Sequence, residues 1–400
     1  MTACRRARSE RRARVVVRSF PRVSLLGFGA LSNFGILLLE IFTAILIYQR
    51  TSSFSFVLLV VFVQMIVEAG MTYVTPFLLR KMGPASMIVW FLPFRIVGCL
   101  FLLGDDMSAA DALIAGVLIS LSTTGDAIPR NVLLTASTRG SASRGMDLGL
   151  FEAFRYIAVA LSPLVGAYAF EGGGFVALAG LSSGLSLVAA LCALRVQRYV
   201  GRGIREQKGK RIGIRRIPVP ILALWCSTGA RYLAENTLYP VAAIMLYQTS
   251  VSLGWISLLA VAAGVIFGKL SDRLSGNLLI LLPVCAVAVG WFARSFELTF
   301  ASALLFGVIC GVGSKAVGVL EKKISFDFGD TVGPTIEFVT LRERIMLISR
   351  AALIGVCLLG GFSVFVCILV CAIVMVLNIA TVLFAVFVRR GVAPVAGPSR

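Results

Sequence analysis

About a dozen long apolar segments, joined by very short loops, occupy residues 24–388 of this chain. A helix needs roughly 20 apolar residues to cross the hydrocarbon core of a bilayer, and each segment is close to that length. A soluble chain of 400 residues could not bury a composition that is 58% hydrophobic in domains of ordinary size. The sequence therefore predicts an all-α polytopic membrane protein with 12 transmembrane helices. The predicted helices are residues 24–48, 54–79, 85–103, 109–133, 148–170, 175–194, 218–247, 253–269, 277–294, 298–320, 336–359 and 364–388.

Basic residues are distributed unevenly between the loops. Only 14% of the residues are charged, yet the formal net charge is +19. Arginines are concentrated in residues 1–23 and 195–216 and at the end of the last predicted helix. Loops on the opposite side carry acids such as Asp105, Asp106 and Glu171. By the positive-inside rule, this asymmetry predicts that both termini and the central loop lie in the cytoplasm, at the cell (inner) membrane. We expect the basic segments to contact anionic lipid head groups and not nucleic acid.

The central basic segment divides the chain into two predicted bundles. We expect a basic cytoplasmic tail at residues 1–23, six helices in residues 24–194, a basic linker at 195–217, six helices in residues 218–390 and a tail at 391–400. One shift along the chain aligns Arg155 with Arg344 and Gly166 with Gly355. Two pseudo-symmetric six-helix halves related in this way are typical of alternating-access transporters. The first 23 residues lack the apolar stretch of a cleaved secretory signal, so the first predicted helix is expected to direct insertion.

Several function classes are disfavoured by the composition. The chain has no histidine, which argues against haem, most catalytic zinc sites and serine or cysteine triads that use histidine. The cysteines lack zinc-ligand spacing, and most lie in apolar segments, where cysteine packs as a small hydrophobe. The sequence contains no Gly-rich phosphate loop ending in lysine, so an ATP-driven pump is not expected. We expect neither an enzyme nor a cofactor.

Two local patterns resemble the major facilitator superfamily. The run Gly268-Lys269-Leu270-Ser271-Asp272-Arg273, followed by Gly276, is similar to the superfamily's G-x-L-x-D-R-x-G loop. The resemblance implies gating roles for Gly268, Asp272 and Arg273, with Asp272 capping a neighbouring helix and pairing with cytoplasmic arginines. The first-half copy, at residues 79–83, lacks the aspartate. The run 162–166, with Pro163 and Gly166, is similar to the antiporter pattern of the fifth helix and favours export.

Ionisable residues within predicted spans are costly in lipid and are therefore candidates for function. Glu68 and Arg95 lie at similar depth on consecutive antiparallel spans, and Arg231 and Glu235 are one helical turn apart. Each pair is either a structural ion pair or a site where substrate or a proton competes for one partner. Glu40 has no obvious local partner and is either a proton carrier or close to the outer interface. The predicted substrate and proton-coupling residues are Glu40, Glu68, Arg95, Arg231 and Glu235.

A second group of charges lies towards the predicted cytoplasmic helix ends. Ion pairs that form in one conformation and break in another would bias a two-state equilibrium, so we expect a gating network here. Its predicted members are Asp126, Arg130, Glu152, Arg155 and Arg344, accompanied by Lys315, Glu343 and Arg350.

These features predict a secondary active transporter that moves a small solute by alternating access. Carboxylates within the spans favour proton coupling, and the fifth-helix pattern favours export. The expected partners are a small-molecule solute, protons and membrane lipids, with the chain acting as a monomer. Two alternatives remain at this point: a lipid or lysolipid flippase on the same scaffold, and a non-transporting membrane receptor or assembly protein.

Overall fold

The structure is a computed structural model that describes residues 2–104, 107–138, 144–205, 212–239, 241, 255, 285–287, 289–293, 299–332 and 335–391. Helices make up almost all of these residues, and no strand occurs among them. The longer helices are α1 (Thr2–Thr51), α2 (Phe54–Met82), α3 (Pro84–Phe101), α4 (Ala109–Thr138), α5 (Arg144–Arg205), α6 (Val219–Leu233), α7 (Phe300–Val332), α8 (Thr335–Leu359) and α9 (Val364–Gly391). A short 3₁₀ helix (Ile214–Arg216) precedes α6, and a π-helical segment (Ala234–Leu238) follows it.

The described chain contains six segments that are long and apolar enough to cross a membrane. They are Ser24–Thr51, Phe54–Met82, Pro84–Phe101, Ala109–Ser137, Ile157–Arg198 and Val366–Phe384. Large apolar side chains on the outside of the helices, such as Trp90 at 67% exposure and Phe77 at 63%, suit contact with lipid tails. The chain is thus an all-α protein of membrane type. The predicted spans 253–269 and 277–294 fall mostly outside the described residues.

Short turns between the first helices follow from local sequence. The Ser53 hydroxyl caps α2 by accepting a hydrogen bond from the Phe56 amide at 3.2 Å. Between α2 and α3 the chain turns at Gly83, whose φ of 84° favours glycine, and Pro84 opens α3 in the position where proline fits a helix. Such short connections make successive helices antiparallel neighbours.

The two predicted spans 148–170 and 175–194 are two helical stretches of α5 that meet at one non-helical residue. Gly174 has φ 63° and ψ −163°, and this break falls between the two predicted spans. A residue with a β-carbon would be strained in that conformation.

Three helices extend beyond the segments that hydropathy predicts. α1 begins at Thr2 and so includes the expected tail, and α5 continues to Arg205 into the expected linker. α7 continues to Val332, although the predicted span ended at residue 320. Hydropathy reports where a helix is apolar, whereas arginine, lysine, glutamate and alanine are strong helix formers in any solvent. The boundaries predicted for the tail and the linker therefore mark a change of polarity and not the end of a helix.

The helices pack so that polar side chains are held between two apolar layers. α1 lies along α5, α3 packs on α4, α2 lies between α4 and α8, and α6 lies between α8 and α9. One apolar layer contains Phe42 of α1 and Met65 of α2, and the other contains Phe28 of α1 and Leu79 of α2. Between the two layers lie buried polar residues of three helices: Ser32 and Asn33 of α1, Glu68 and Thr72 of α2, and Ser120, Ser122, Thr123, Thr124 and Asp126 of α4.

A charged cavity as candidate functional site

Two adjoining cavities lie among the described helices, within this polar layer. The larger, of about 130 Å³, extends towards Asn131 of α4 and Arg342 of α8. The smaller, of about 40 Å³, extends towards Ile47 of α1 and Val57 of α2. Both are lined by residues of the N-terminal helices α1, α2 and α4 and of the C-terminal helices α6 and α8 and the π-helical segment. Of the described residues, six line both cavities, and we call them the waist: Glu40, Glu68, Thr123, Tyr232, Asn236 and Arg350.

Each helix presents one face to the cavities, as helical periodicity requires. On α1 the lining positions are residues 33, 36, 37 and 40, and on α8 they are residues 342, 343, 346, 347 and 350. This spacing of three and four residues places each set on one side of its helix. Glu40 and Arg350 therefore reach the waist from two helices of widely separated sequence.

The π-helical segment supplies one side of the waist. A π-turn widens the helix, and such turns are frequent at functional sites. It contributes Asn236, and Tyr232 lies just before it on α6. The sequence offers a reason for the irregularity, since residue 240 is proline and cannot supply the amide that a regular helix would direct to the carbonyl of Asn236. The irregularity lies within the turn that precedes this proline.

The waist brings two carboxylates to one guanidinium. The charge of Arg350 acts on both Glu40 and Glu68, and the charge of Glu40 acts on Glu68. Charges from outside the waist also reach these groups: Arg95 and Arg130 act on Glu40, and Glu343 acts on Glu68. Glu68 is buried, at 7% exposure. The Arg350 guanidinium lies 5.3 Å from the centre of the Tyr232 ring, and its Nε has no hydrogen-bond partner within the described chain. The waist thus combines two groups that can bind a proton with a cation that is not engaged in the ion pairs found among the described residues.

Cations outnumber acids on the wall of the larger cavity. Among the described lining residues, five are basic and three are acidic. The acids are Glu40, Glu68 and Glu343, and the bases are Arg130, Arg155, Lys322, Arg342 and Arg350. Glu343 is engaged by Arg342 at 3.2 Å and by the Asn131 amide, which donates a hydrogen bond at 3.1 Å.

Three of the five predicted coupling residues lie away from the lining of these two cavities. Among the described contacts, no ion pair joins Arg95 to Glu68, so the anticipated pair is not formed. Arg95 is 1% exposed and donates from Nη1 to the Ser186 hydroxyl, while the Ser182 hydroxyl donates to the Gly35 carbonyl at 2.6 Å. Arg95 therefore takes part in a polar network that ties α3 to α5 and α1.

Arg231 and Glu235, the other two, belong to a buried cluster in the C-terminal helices. Their side chains approach to 4.0 Å, as the spacing predicts, but Arg231 makes a closer ion pair of 2.5 Å with Glu321 of α7. Asn378 of α9 donates to the other carboxylate oxygen of Glu321 at 2.8 Å. Sequence reasoning missed Glu321 because the predicted span ended at residue 320. The end of this helix could have been predicted at Gly333-Pro334, because no proline occurs between residues 300 and 333. A helix extended to that point would have included Glu321.

Apart from Arg344, the predicted gating residues separate into three groups. Asp126 accepts a hydrogen bond from Ser32, which in turn accepts one from Arg130 at 2.6 Å, so these residues tie α4 to α1. Arg130 and Arg155 line the larger cavity. Gly268, Asp272 and Arg273 lie outside the described residues, as do the side chains of Glu152 and Lys315.

Arg344 is the predicted gating residue that connects α8 to α2. Its Nε donates to the Thr72 hydroxyl at 3.0 Å, its Nη2 donates to the Thr72 carbonyl at 3.1 Å, and its guanidinium lies 3.7 Å from the Tyr73 ring centre. At the end of α2, Arg80 forms an ion pair with Glu337 in the first turn of α8. We call these contacts of Arg344 and Arg80 the α2–α8 latch.

No protein-family model matches the sequence, and no curated protein matches it either. The resemblance to the major facilitator superfamily therefore rests on the loop motif and the fifth-helix pattern. The residues of the charged cavity are the basis on which a function is inferred.

Proposed function

We propose that the protein is a secondary transporter of the major facilitator type, which moves a small solute across the cell membrane by alternating access with proton coupling. The observation that carries the proposal is the charged cavity, which is lined by helices from both ends of the chain. Four of the six candidate membrane spans, those in α1, α2, α4 and α5, line that cavity. A cavity formed between two groups of helices opens and closes when one group rocks against the other.

Charge burial in the cavity supports a role beyond packing. An ionisable side chain placed within a membrane costs several kcal/mol, on the order of 2.5–3.5 kcal/mol per residue on insertion scales. Eight such residues line the larger cavity. A core of aliphatic side chains would hold the helices together without this cost. The presence of charged side chains therefore supports a role in binding a solute or protons. They also argue against a flippase, because lipid tails need an apolar path.

Proton coupling is supported by the charge balance of the waist. When Glu40 and Glu68 are both ionised, two like charges repel each other in a buried site, which is unfavourable. A proton on Glu40 or Glu68 removes that repulsion. Binding of a solute to Arg350 would change the field at both carboxyl groups, which links solute binding to proton binding.

The α2–α8 latch supports alternation between two states. Its contacts join an N-terminal helix to a C-terminal helix on one side of the waist, and they must break for the larger cavity to open between these helices. Polar contacts of this kind are modest in net energy, about 0.5–1.5 kcal/mol for each hydrogen bond and 1.5–3 kcal/mol where a charge takes part. A solute or proton can supply energy of that order, so the closed arrangement is reversible.

Transport assays in vesicles test the proposal. Purified full-length protein is reconstituted, a pH gradient of either polarity is imposed, and uptake is followed for panels of anionic, neutral and cationic solutes. We expect gradient-driven uptake of at least one class. Glu40→Gln and Glu68→Gln should abolish gradient-driven uptake and spare solute exchange without a gradient, because the site remains and the proton carrier is lost.

Glu171→Gln is the matched control, since Glu171 lies on the exposed surface of α5 away from the cavities. It should transport as the parent protein does. Uptake that is independent of pH and unchanged in both cavity variants would mean that the carboxylates are structural, and proton coupling would then be rejected. Absence of uptake for every class would reject the transporter itself.

A further inference from the structure

We infer that the smaller cavity binds water, which Thr43 and Ser120 hold beside the waist carboxyl groups, and that this water relays protons to Glu40 and Glu68. The inference rests on the proposed proton coupling and adds the route by which a proton reaches the coupling groups. It is carried by two buried hydroxyl groups without partners and by the order of the side chains along the cavity.

The hydroxyl groups of Thr43 and Ser120 lack hydrogen-bond partners within the described chain. Both residues line the smaller cavity, and they are only 3% and 1% exposed. A buried hydroxyl group without a partner is unfavourable. Buried polar groups that protein atoms leave unsatisfied are typically bonded to ordered water. The two hydroxyl groups therefore mark a position for water inside the cavity.

Other buried threonines of this protein satisfy their hydroxyl groups within their own helix. The Thr75 hydroxyl, for example, donates to the Met71 carbonyl at 2.8 Å. Bonds of the same kind are made by Thr72, Thr228 and Thr340. Bonding to a carbonyl of the preceding turn is a common solution for serine and threonine in a helix. Thr43 and Ser120 do not use it, so their hydroxyl groups are available to a ligand in the cavity.

The size and the lining of the smaller cavity suit water. A cavity needs at least about 10–15 Å³ to hold one water molecule, and this cavity has about 40 Å³. Cavities with an apolar lining stay dry, and a bound water needs two to four polar partners. In addition to the waist residues, α1, α2, α4 and the π-helical segment each supply one polar side chain: Thr43, Gln64, Ser120 and Thr237.

Along the smaller cavity the side chains change in order from charged to polar to apolar. On α1, Thr43 lies one turn beyond Glu40, and Ile47 lies one turn further towards the α1–α2 connection. The corresponding residues of α2 are Glu68, Gln64 and Val60. Water beside the polar layer can exchange protons with the carboxyl groups, whereas an apolar constriction excludes water. The relay therefore ends at the apolar layer, and a proton passes further only when α1 and α2 separate.

The charged groups of the smaller cavity leave the carboxyl groups as the proton acceptors. Its charged lining residues in the described chain are Glu40, Glu68 and Arg350, from α1, α2 and α8. The described lining residues of α4, α6 and the π-helical segment carry no charge. A guanidinium group stays protonated in proteins, so a proton in this water is transferred to Glu40 or Glu68.

X-ray footprinting of the purified full-length protein tests whether the cavity is hydrated. Radiolysis of a bound water forms a hydroxyl radical that oxidises neighbouring side chains, and methionine is converted to its sulfoxide. Met65 lines the smaller cavity, whereas Met87 is fully buried and lines neither cavity. We expect Met65 to be oxidised several-fold faster than Met87. The double variant Thr43→Val/Ser120→Ala should lose most of that difference, because it keeps the shape of the cavity and removes the groups that hold the water.

The vesicle assay tests the relay. The same double variant should lower uptake driven by a pH gradient about tenfold or more and spare exchange without a gradient, because proton transfer needs a continuous hydrogen-bonded path. Thr43→Ser keeps a hydroxyl group and should transport as the parent protein does. Thr75→Val is the matched control, since it removes a hydroxyl group that is bonded within its own helix and lines neither cavity. It should also transport as the parent does.

The outcomes distinguish this inference from the transport proposal. Equal oxidation of Met65 and Met87 would show that the cavity is dry and would overturn the inference. Oxidation of Met65 that the double variant leaves unchanged would overturn it too. Gradient-driven uptake that is lost in Glu40→Gln but kept at the parent rate in the double variant would reject the relay and leave the transporter standing. Absence of all uptake would reject the proposed function and the relay together, and Met65 would still report whether the cavity holds water.

Discussion

A guanidinium group buried among apolar helices is costly unless a carboxylate or other hydrogen-bond acceptors meet it. Arg231 is 4% exposed, and Glu321 is its nearest acidic partner, at 2.5 Å. Glu321→Gln keeps the shape of the side chain and removes its charge, which leaves Arg231 with the more distant Glu235. We expect a loss of about 3–5 kcal/mol in the free energy of unfolding. This loss of stability is measured by heating the protein in detergent micelles. The readout is the temperature at which half of the monodisperse fraction is lost.

The double variant Arg231→Met/Glu321→Leu is the control for that prediction. Removing both charges also removes the desolvation cost, so this protein should be more stable than Glu321→Gln alone. Equal stability of Glu321→Gln and the parent would contradict the buried ion pair.

Individual site residues were only partly predictable. Glu40, Glu68, Arg95, Arg231 and Glu235 were recognised because a charge within an apolar run is visible in the sequence. Which of them reaches the cavity depends on how each helix is rotated, and helical rotation is set by packing with neighbours distant in sequence. Arg350 was recognised as a charge near a helix end, but its position at the waist depends on α8 facing α1 and α2.

At the scale of the helices, the close approach of α6 to α8 depends on a missing side chain. A β-carbon at Gly229 would lie 2.3 Å from the Met346 carbonyl oxygen and 2.3 Å from the Ser349 hydroxyl, distances that real structures do not tolerate. Gly229→Ala must push the two helices apart. We expect a loss of about 1–3 kcal/mol in the free energy of unfolding, measured as a lowered thermal midpoint.

Gly180→Ala is the matched change, because position 180 is also within a helix and has no atom within 4 Å of an added β-carbon. Alanine is the better helix former by about 1 kcal/mol, so Gly180→Ala should be neutral or stabilising. A Gly229→Ala variant as stable as Gly180→Ala would mean that α6 and α8 are not in contact at this position.

The helices themselves were predicted well from hydropathy where they are apolar, as for α2, α3 and α9. Prediction was poorer where a helix is polar. The span predicted at residues 336–359 is the helix α8, but α8 is not one of the six segments apolar enough to cross a membrane in isolation. Its charges, Glu337, Arg342, Glu343, Arg344 and Arg350, fill the same sequence window as its apolar residues. A hydropathy average includes both faces of a helix, so it does not show that the polar face is turned towards the other helices.

For the whole molecule, the distribution of charge gives a testable topology. We expect the two termini and the segment around residue 205 to lie on the cytoplasmic side, because the basic residues are concentrated there. Fusions of a cytoplasm-active and an exterior-active reporter after residues 79, 104, 205 and 400 measure this. The fusions at 79, 205 and 400 should be cytoplasmic, and the fusion at 104 should be exterior.

A reporter at residue 400 on the side opposite to that at residue 205 would contradict an even number of spans in the C-terminal part. The fusions thus test whether the C-terminal part has an even number of spans, as the expected twelve helices require; six candidate spans are found in the described chain.

The polarity of α8 has a consequence for how the protein is made. A charged residue at the centre of a helix raises the free energy of insertion by roughly 2.5–3.5 kcal/mol, and α8 carries several. On this ground we expect α8 not to partition into lipid on its own during synthesis. We expect it to enter the bilayer against α2 and α6, which provide acceptors for Arg344 and a packing surface at Gly229. The order of biogenesis would then be fixed by polarity, with earlier helices in place before a later helix that is too polar to insert alone.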